Sequence, residues 1–135
     1  WAAPAPRATA AIEAAARAGG LTDAAVAAAK TAAAIMGMNG IYHRATHLMT
    51  HPEYRAMPAR LRMTGAMSPG VARLDFELCE LAVSAIVGCG ACLDAHERAA
   101  RSEGASAAAV HATLRIAAVV NAVGRVLAAE AAAAS

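Results

Sequence analysis

The stretch AIVGCGACLDAHERAAR, residues 85–101, sets Cys89 and Cys92 two residues apart and His96 four further on. Such a pair either clamps a metal through two thiolates or opens and closes a disulfide. On a helix turning ~100° per residue, Cys92 lies at about 300° from Cys89 and His96 at about 340°, so all three share an arc of about 60°. Asp94, Glu97, Arg98 and Arg101 fall on the opposite side, while Leu93, Ala99 and Ala100 flank the stripe. The helix is therefore amphipathic, with its thiols and imidazole turned inward. A free thiol has a pKa of roughly 8.5. The unpaired N–H groups and partial positive charge of a first helical turn favour the thiolate. A nearby imidazole can take or return the proton. The i, i+3 spacing lets the two sulfurs meet with little backbone movement.

The metal alternative uses the same atoms. Zinc accepts Cys89, Cys92 and His96, with a fourth ligand from His43, His47 or His51, which recur at i, i+4 spacing. Only one Cys-x-x-Cys occurs and its neighbours are apolar, which favours redox chemistry over a structural zinc module. Covalent haem is excluded because Leu93, not histidine, follows Cys92. Upstream, DFELCELAVSAIVGC offers two acids, Glu77 and Glu80; spacing alone does not choose between them, because Gly88 hides how the helices cross. Cys79 reads as a packed small hydrophobe. His43, His47 and His51 read as packing or helix-end residues. Met36, Met38, Leu48 and Met49 read as core, and Arg55, Arg60 and Arg62 as a solvated face.

The elements that must hold these groups are helices. The 135 residues suit one domain spanning 1–135, and hydrophobic residues reach 59% with only 3% aromatic, because alanine dominates. Alanine is the best helix former, so the expected class is all-α. Alanine also buries little area, a weak argument for an oligomer. The net charge of +2 is too small and too evenly spread for a nucleic-acid surface. The longest charge-free apolar run, Leu81–Leu93, is shorter than the ~20 residues of a spanning helix, so no membrane partner is expected. Three cysteines fit a reducing, cytoplasmic setting. The chain begins at Trp1 without a Met, which leaves a targeting segment upstream open.

An irregular start, with prolines at 4 and 6, leads into a helix from about Arg7 to Ala18, stopped by Gly19-Gly20. Thr22 or Asp23 caps a long helix that ends at His51-Pro52, with Gly37, Asn39 and Gly40 as places to bend. A short helix is expected over 53–61, a loop over MTGAMSPGV, a helix over 71–87 and another from Cys89 to about Glu103. Gly104 stops that one, and Ser106 caps a last helix reaching about Ala131.

These segments together resemble a known family. DFELCELAVSAIVGCGACLDAHERAARSEGAS, AAAIMGMNGIYHRATHLM and LRIAAVVNAVG resemble the alkyl hydroperoxide reductase D (AhpD) family, over about Leu21 to Glu130. The resemblance implies an all-α helical bundle, a homotrimer, and membership of the carboxymuconolactone-decarboxylase-like superfamily. It implies peroxide reduction, recycling of a partner peroxiredoxin of the alkyl hydroperoxide reductase C type, and electrons from a dihydrolipoyl-bearing acyltransferase. It implies that no cofactor is bound and that the dihydrolipoyl group is an external reductant. It maps Glu77 and His96 to the proton relay, Cys92 to the sulfenic acid, and Cys89 to the proton donor and disulfide partner. Two departures stand out. Family members begin with further helices before the point matching Trp1, so a bundle lacking those helices is expected. Gly90-Ala91 stand where some members carry a polar residue or second histidine, which removes one proton carrier. A cysteine-independent lactone decarboxylase is the remaining enzymatic alternative, since fold does not fix function.

Overall fold

The computed structural model describes residues 6–133, and the expected irregularity at residues 1–5 lies outside them. Seven helices and no strand occur among the described residues: α1 (Pro6–Ala18), α2 (Asp23–Leu48), α3 (Glu53–Ala56), α4 (Thr64–Met67), α5 (Arg73–Val87), α6 (Gly90–Ser102) and α7 (Ala107–Ala133). The all-α expectation holds. Thr22 caps α2, its hydroxyl accepting the Ala25 N–H at 3.2 Å. Ser106 caps α7 in the same way, accepting from Ala109 at 3.0 Å. Each hydroxyl satisfies a first-turn donor that has no partner within its helix.

Three expectations need correction. The short helix expected over 53–61 is one turn, Glu53–Ala56, because Pro58 follows so closely. The expected loop MTGAMSPGV contains a second single turn, Thr64–Met67. The long helix runs unbroken through Gly37, Asn39 and Gly40 and stops at Leu48, before His51-Pro52. Its last carbonyls are held by Arg55, whose Nε donates to the Thr46 oxygen at 3.2 Å and whose Nη2 donates to His47 at 2.8 Å. Arg55 is thus a helix cap supplied from the next element, beyond its expected part in a solvated face.

Helix α5 is the hub, packed against α6, α2 and α7. One cluster joins Ala28, Ala32, Ile35 and Met36 of α2 to Phe76 and Val83 of α5 and to both Cys89 and Cys92. A second joins Leu81 of α5 to Ala100, Ala105 and Val110, at the junction with α6 and α7. Phe76, Met36 and Leu81 are the largest apolar side chains in full burial. Each is worth roughly 1.5–3 kcal/mol relative to exposure, more than any of the surrounding alanines can supply. Helix α1 is tied to α2 by an ion pair of Glu13 with Lys30 at 3.0 Å and by the Arg17–Asp23 pair.

The surface differs from expectation at two places. Leu48 is 78% exposed, and Met38 and Met49 are exposed too, so only Met36 of that group is core. Helix α7 carries exposed Ile116, Val119, Val123, Val126 and Leu127. By length and composition α2 and α7 are each long and apolar enough to cross a membrane. The expectation drawn from the Leu81–Leu93 run overlooked α7 because Arg115 and Arg125 interrupt it without making it polar.

Candidate redox site

The site is made where α5 ends and α6 begins. Gly88 takes a left-handed conformation, φ 70° and ψ 38°, and its N–H bonds back to the last turn of α5. The Cys89 N–H reaches the Ser84 carbonyl at 3.1 Å. Glycine adopts this backbone at little steric cost, so Gly88 closes α5 and redirects the chain within one residue. Arg44 of α2 donates from Nη1 to the Val87 carbonyl and satisfies a further helix-end acceptor. Cys89 then serves as the N-cap of α6, with extended backbone and its Sγ accepting the Cys92 N–H at 3.3 Å.

Cys89 and Cys92 form a disulfide with their Cα atoms 5.3 Å apart, inside the usual range for a bridge. Both are buried, at 1% and 6% exposure. The helical wheel therefore placed both sulfurs correctly on the inward face, and Asp94, Glu97, Arg98 and Arg101 are exposed as expected. The thiol of Cys79 is free and packs half-buried against the first cluster. Burial, above all, pushes its pKa up, and Asp75 and Glu80 add to the effect. That is the environment of an unreactive thiol.

His96 lies one turn beyond Cys92. Its Nδ1 sits 2.8 Å from Glu77 Oε2 and 3.4 Å from Glu80 Oε2. An ionised carboxylate only accepts, so Nδ1 carries the proton and donates it, leaving Nε2 as the nitrogen that exchanges protons. Arg73, one turn before Glu77, pairs with Glu77 Oε1. Glu77 is thus buried with a guanidinium on one oxygen and an imidazole on the other. Glu80, 3% exposed, has no such cation of its own. Burial is the main cause that raises its pKa; His96 and Arg73 oppose the rise and Glu77 adds to it.

The structure thus brings Glu77 to His96, as the family resemblance implied, and brings Glu80 there as well. Sequence reasoning missed Arg73, although its i, i+4 spacing from Glu77 was a usable signal. It missed Arg44 and Gly40 too, because both act across helices. A Cβ on Gly40 would stand 2.4 Å from Val87 Cγ2 and 3.9 Å from Cys89 Cβ, so α2 touches the redox turn through a residue with no side chain.

The zinc expectation finds no support in this arrangement. The sulfurs are bonded to each other, and His96 Nδ1 faces carboxylates. Among the described residues the group of metal-ligating atoms that converges is Glu77, Glu80 and His96, without the cysteines and without His43, His47 or His51. Arg73 on Glu77 disfavours a cation there as well, because it occupies a carboxylate oxygen and repels positive charge.

Fold and site together define a class: all-helical proteins with a Cys-x-x-Cys at a helix start, backed by a histidine–carboxylate pair. Residues 52–135 match the carboxymuconolactone decarboxylase family. A curated protein from Hyphomonas neptunium, alkyl hydroperoxide reductase AhpD, is 60% identical over 122 residues, or 90% of this chain and 67% of that protein. Proteins of the same name from Bradyrhizobium sp. and Maricaulis maris are 55% and 54% identical, over 87% and 82% of this chain and 65% and 64% of their own lengths. The chain belongs to the AhpD family, within the carboxymuconolactone-decarboxylase-like superfamily. It spans about two thirds of the length of these curated relatives.

Proposed function

We propose that the protein is a thiol peroxidase that reduces alkyl hydroperoxides with Cys89 and Cys92. The observation that carries this is a buried Cys89–Cys92 disulfide at the start of α6, one turn from a His96 whose Nδ1 is anchored by Glu77. The names of the relatives support the same substrate class. In the cycle, His96 Nε2 takes the proton of Cys92, directly or through one water. The imidazolium is balanced by Glu77. The Cys92 thiolate attacks the distal peroxide oxygen, the O–O bond breaks, and Cys92 becomes a sulfenic acid. The departing alkoxide takes the proton of Cys89 and leaves as the alcohol. The Cys89 thiolate, steadied by the Cys92 N–H, attacks the sulfenic sulfur. The disulfide forms, and the hydroxide released takes the proton held on His96 and leaves as water.

A dithiol returns two electrons and two protons by thiol–disulfide exchange. Both sulfurs are buried, which suits a slim dihydrolipoyl arm on an acyltransferase as reductant. A peroxiredoxin of the alkyl hydroperoxide reductase C type is the proposed partner, with its recycling drawing on the same dithiol. The exposed apolar face of α7 is the proposed contact between copies in a homotrimer. A reducing, cytoplasmic compartment keeps the pair available.

The test is turnover of cumene hydroperoxide with dihydrolipoamide. Cys92→Ser should abolish it. Cys89→Ser should stop after one event and leave a sulfenic acid that dimedone labels at Cys92. Retained turnover in the Cys92→Ser protein refutes the assignment.

A further inference from the structure

Glu80 stands beside the imidazole with no part in the cycle above. It lies on α5 one turn after Glu77, so the two carboxylates project from one helix face toward the same nitrogen. Their oxygens are 2.8 Å and 3.4 Å from His96 Nδ1. We infer that Glu80 is a reserve carboxylate for His96, a positioning residue held 3.4 Å from Nδ1 that takes over the Nδ1–H bond when Glu77 cannot hold it. This deepens the proposed function, since it rests on Glu77 and His96 acting as the relay.

The charges around the imidazole explain why one carboxylate leads and the other waits. Two neighbouring buried carboxylates disfavour each other's ionisation. Arg73 forms its ion pair with Glu77, so the ion pair favours charge on Glu77, while burial disfavours it on Glu80. The groups acting on Glu80 are Glu77 and Arg73 along its own helix and His96 from α6, with the Cys79 thiol next in the chain. Every residue that α2 and α7 bury is uncharged, so neither helix brings a buried counter-ion to α5. Removing the charge of Glu77 removes the repulsion that Glu80 feels, while His96 and Arg73 still favour its ionised form. Glu80 then ionises more readily and accepts the Nδ1–H as a carboxylate. A site with two acids on one nitrogen thus keeps His96 in the tautomer that frees Nε2, whichever acid is ionised.

A double-mutant cycle tests this without peroxide. The readouts are the pH dependence of iodoacetamide alkylation of the reduced pair, which follows its thiolate, and the ¹⁵N resonances of His96, which report the tautomer. The variants are Glu77→Gln, Glu80→Gln and both together. At neutral pH the single changes should slow alkylation about threefold and about twofold, and the pair about thirtyfold, against about sixfold from their product. The Nδ1–H tautomer should persist in Glu77→Gln and be lost in the double variant. A double variant equal to the product of the singles, or loss of the tautomer in Glu77→Gln alone, overturns the inference. Should the double variant not fold, Glu77→Gln with Glu80→Asp replaces it, because the shorter side chain withdraws the carboxylate. If Glu77→Gln moves neither readout, the relay itself fails and Glu80's role falls with it. If it moves both but without excess coupling, only Glu80's role falls.

Discussion

Gly40 and Gly37 lie three residues apart on α2 and ask opposite questions of the same substitution. A Cβ on Gly37 meets nothing within 4 Å, whereas one on Gly40 would stand 2.4 Å from Val87 Cγ2 and 3.4 Å from Val87 Cβ. Replacing an interior helical glycine by alanine gains about 1 kcal/mol of helix propensity. Gly37→Ala should show that gain nearly whole. At Gly40 the same gain is opposed. Carbon atoms settle about 3.5–4 Å apart, so α2 must withdraw from Val87 by about 1 Å or Val87 must turn. Valine is stiff at χ1, and its Cβ is fixed to the backbone. Overpacking of this kind costs about 1–3 kcal/mol. The two alanine variants should therefore differ by about 1–3 kcal/mol, with Gly40→Ala the less stable. The assay is urea unfolding of both, each in the oxidised and reduced forms. Val87 precedes the Gly88–Cys89 turn, and Arg44 on α2 holds its carbonyl, so displacement of α2 also loosens the redox turn. Gly40→Ala should accordingly alter the rate at which dihydrolipoamide opens the disulfide, and Gly37→Ala should not. Equal stabilisation by both substitutions, with equal disulfide kinetics, would show that α2 does not set the position of the cysteines.

Two other outcomes are expected. Because burial chiefly raises the pKa of Glu80 above its ordinary value of 4.5, the folded state holds its proton more tightly than the unfolded chain. The stability this contributes is fully present below about pH 4.5 and is lost as pH rises through the folded value. Thermal melts of Glu80→Gln and the parent should therefore diverge in the variant's favour as pH rises from about 4.5; a constant offset would contradict the sign. On α7, Val119 is 63% and Val126 61% exposed. Changing both to Glu should convert the proposed homotrimer to monomer in light scattering while leaving the helical circular dichroism in place. An unchanged mass would exclude that face as the contact between copies.

Much of the scaffold was legible because its signals are local. Thr22 and Ser106 cap helices by their own hydroxyls, and Gly88 and Gly104 end helices by their own backbone. What was not legible depends on contacts between distant segments. The single turns at α3 and α4 have no amphipathic pattern of sufficient length to read. Leu48 and Met49 belong by type to a core, yet both lie exposed at the C-terminal end of α2. In a chain where alanine is the commonest buried residue, larger apolar residues no longer mark the core by themselves. Several of them lie on the outside of α7, where only another surface can cover them.

The candidate site divides along the same line. Periodicity within α6 was enough to set Cys92 and His96 on one side, and the Gly88 turn brings the N-cap Cys89 to them. The choice between Glu77 and Glu80 was open because it appeared to be a choice. Three residues apart on one helix, the two side chains share a face, and the crossing of α5 with α6 sets His96 against both. What separates them is charge, and the deciding residue is Arg73, which forms its ion pair with Glu77. The i, i+4 relation was in the sequence, but it acquires meaning only once burial makes an unpaired carboxylate costly. A carboxylate that is closely paired can stay ionised and anchor an imidazolium; one that is buried beside it without so close a pair is harder to ionise while its neighbour is charged. The same pair of residue types therefore supplies a standing anion and a conditional one, and the difference is made by a guanidinium one turn away.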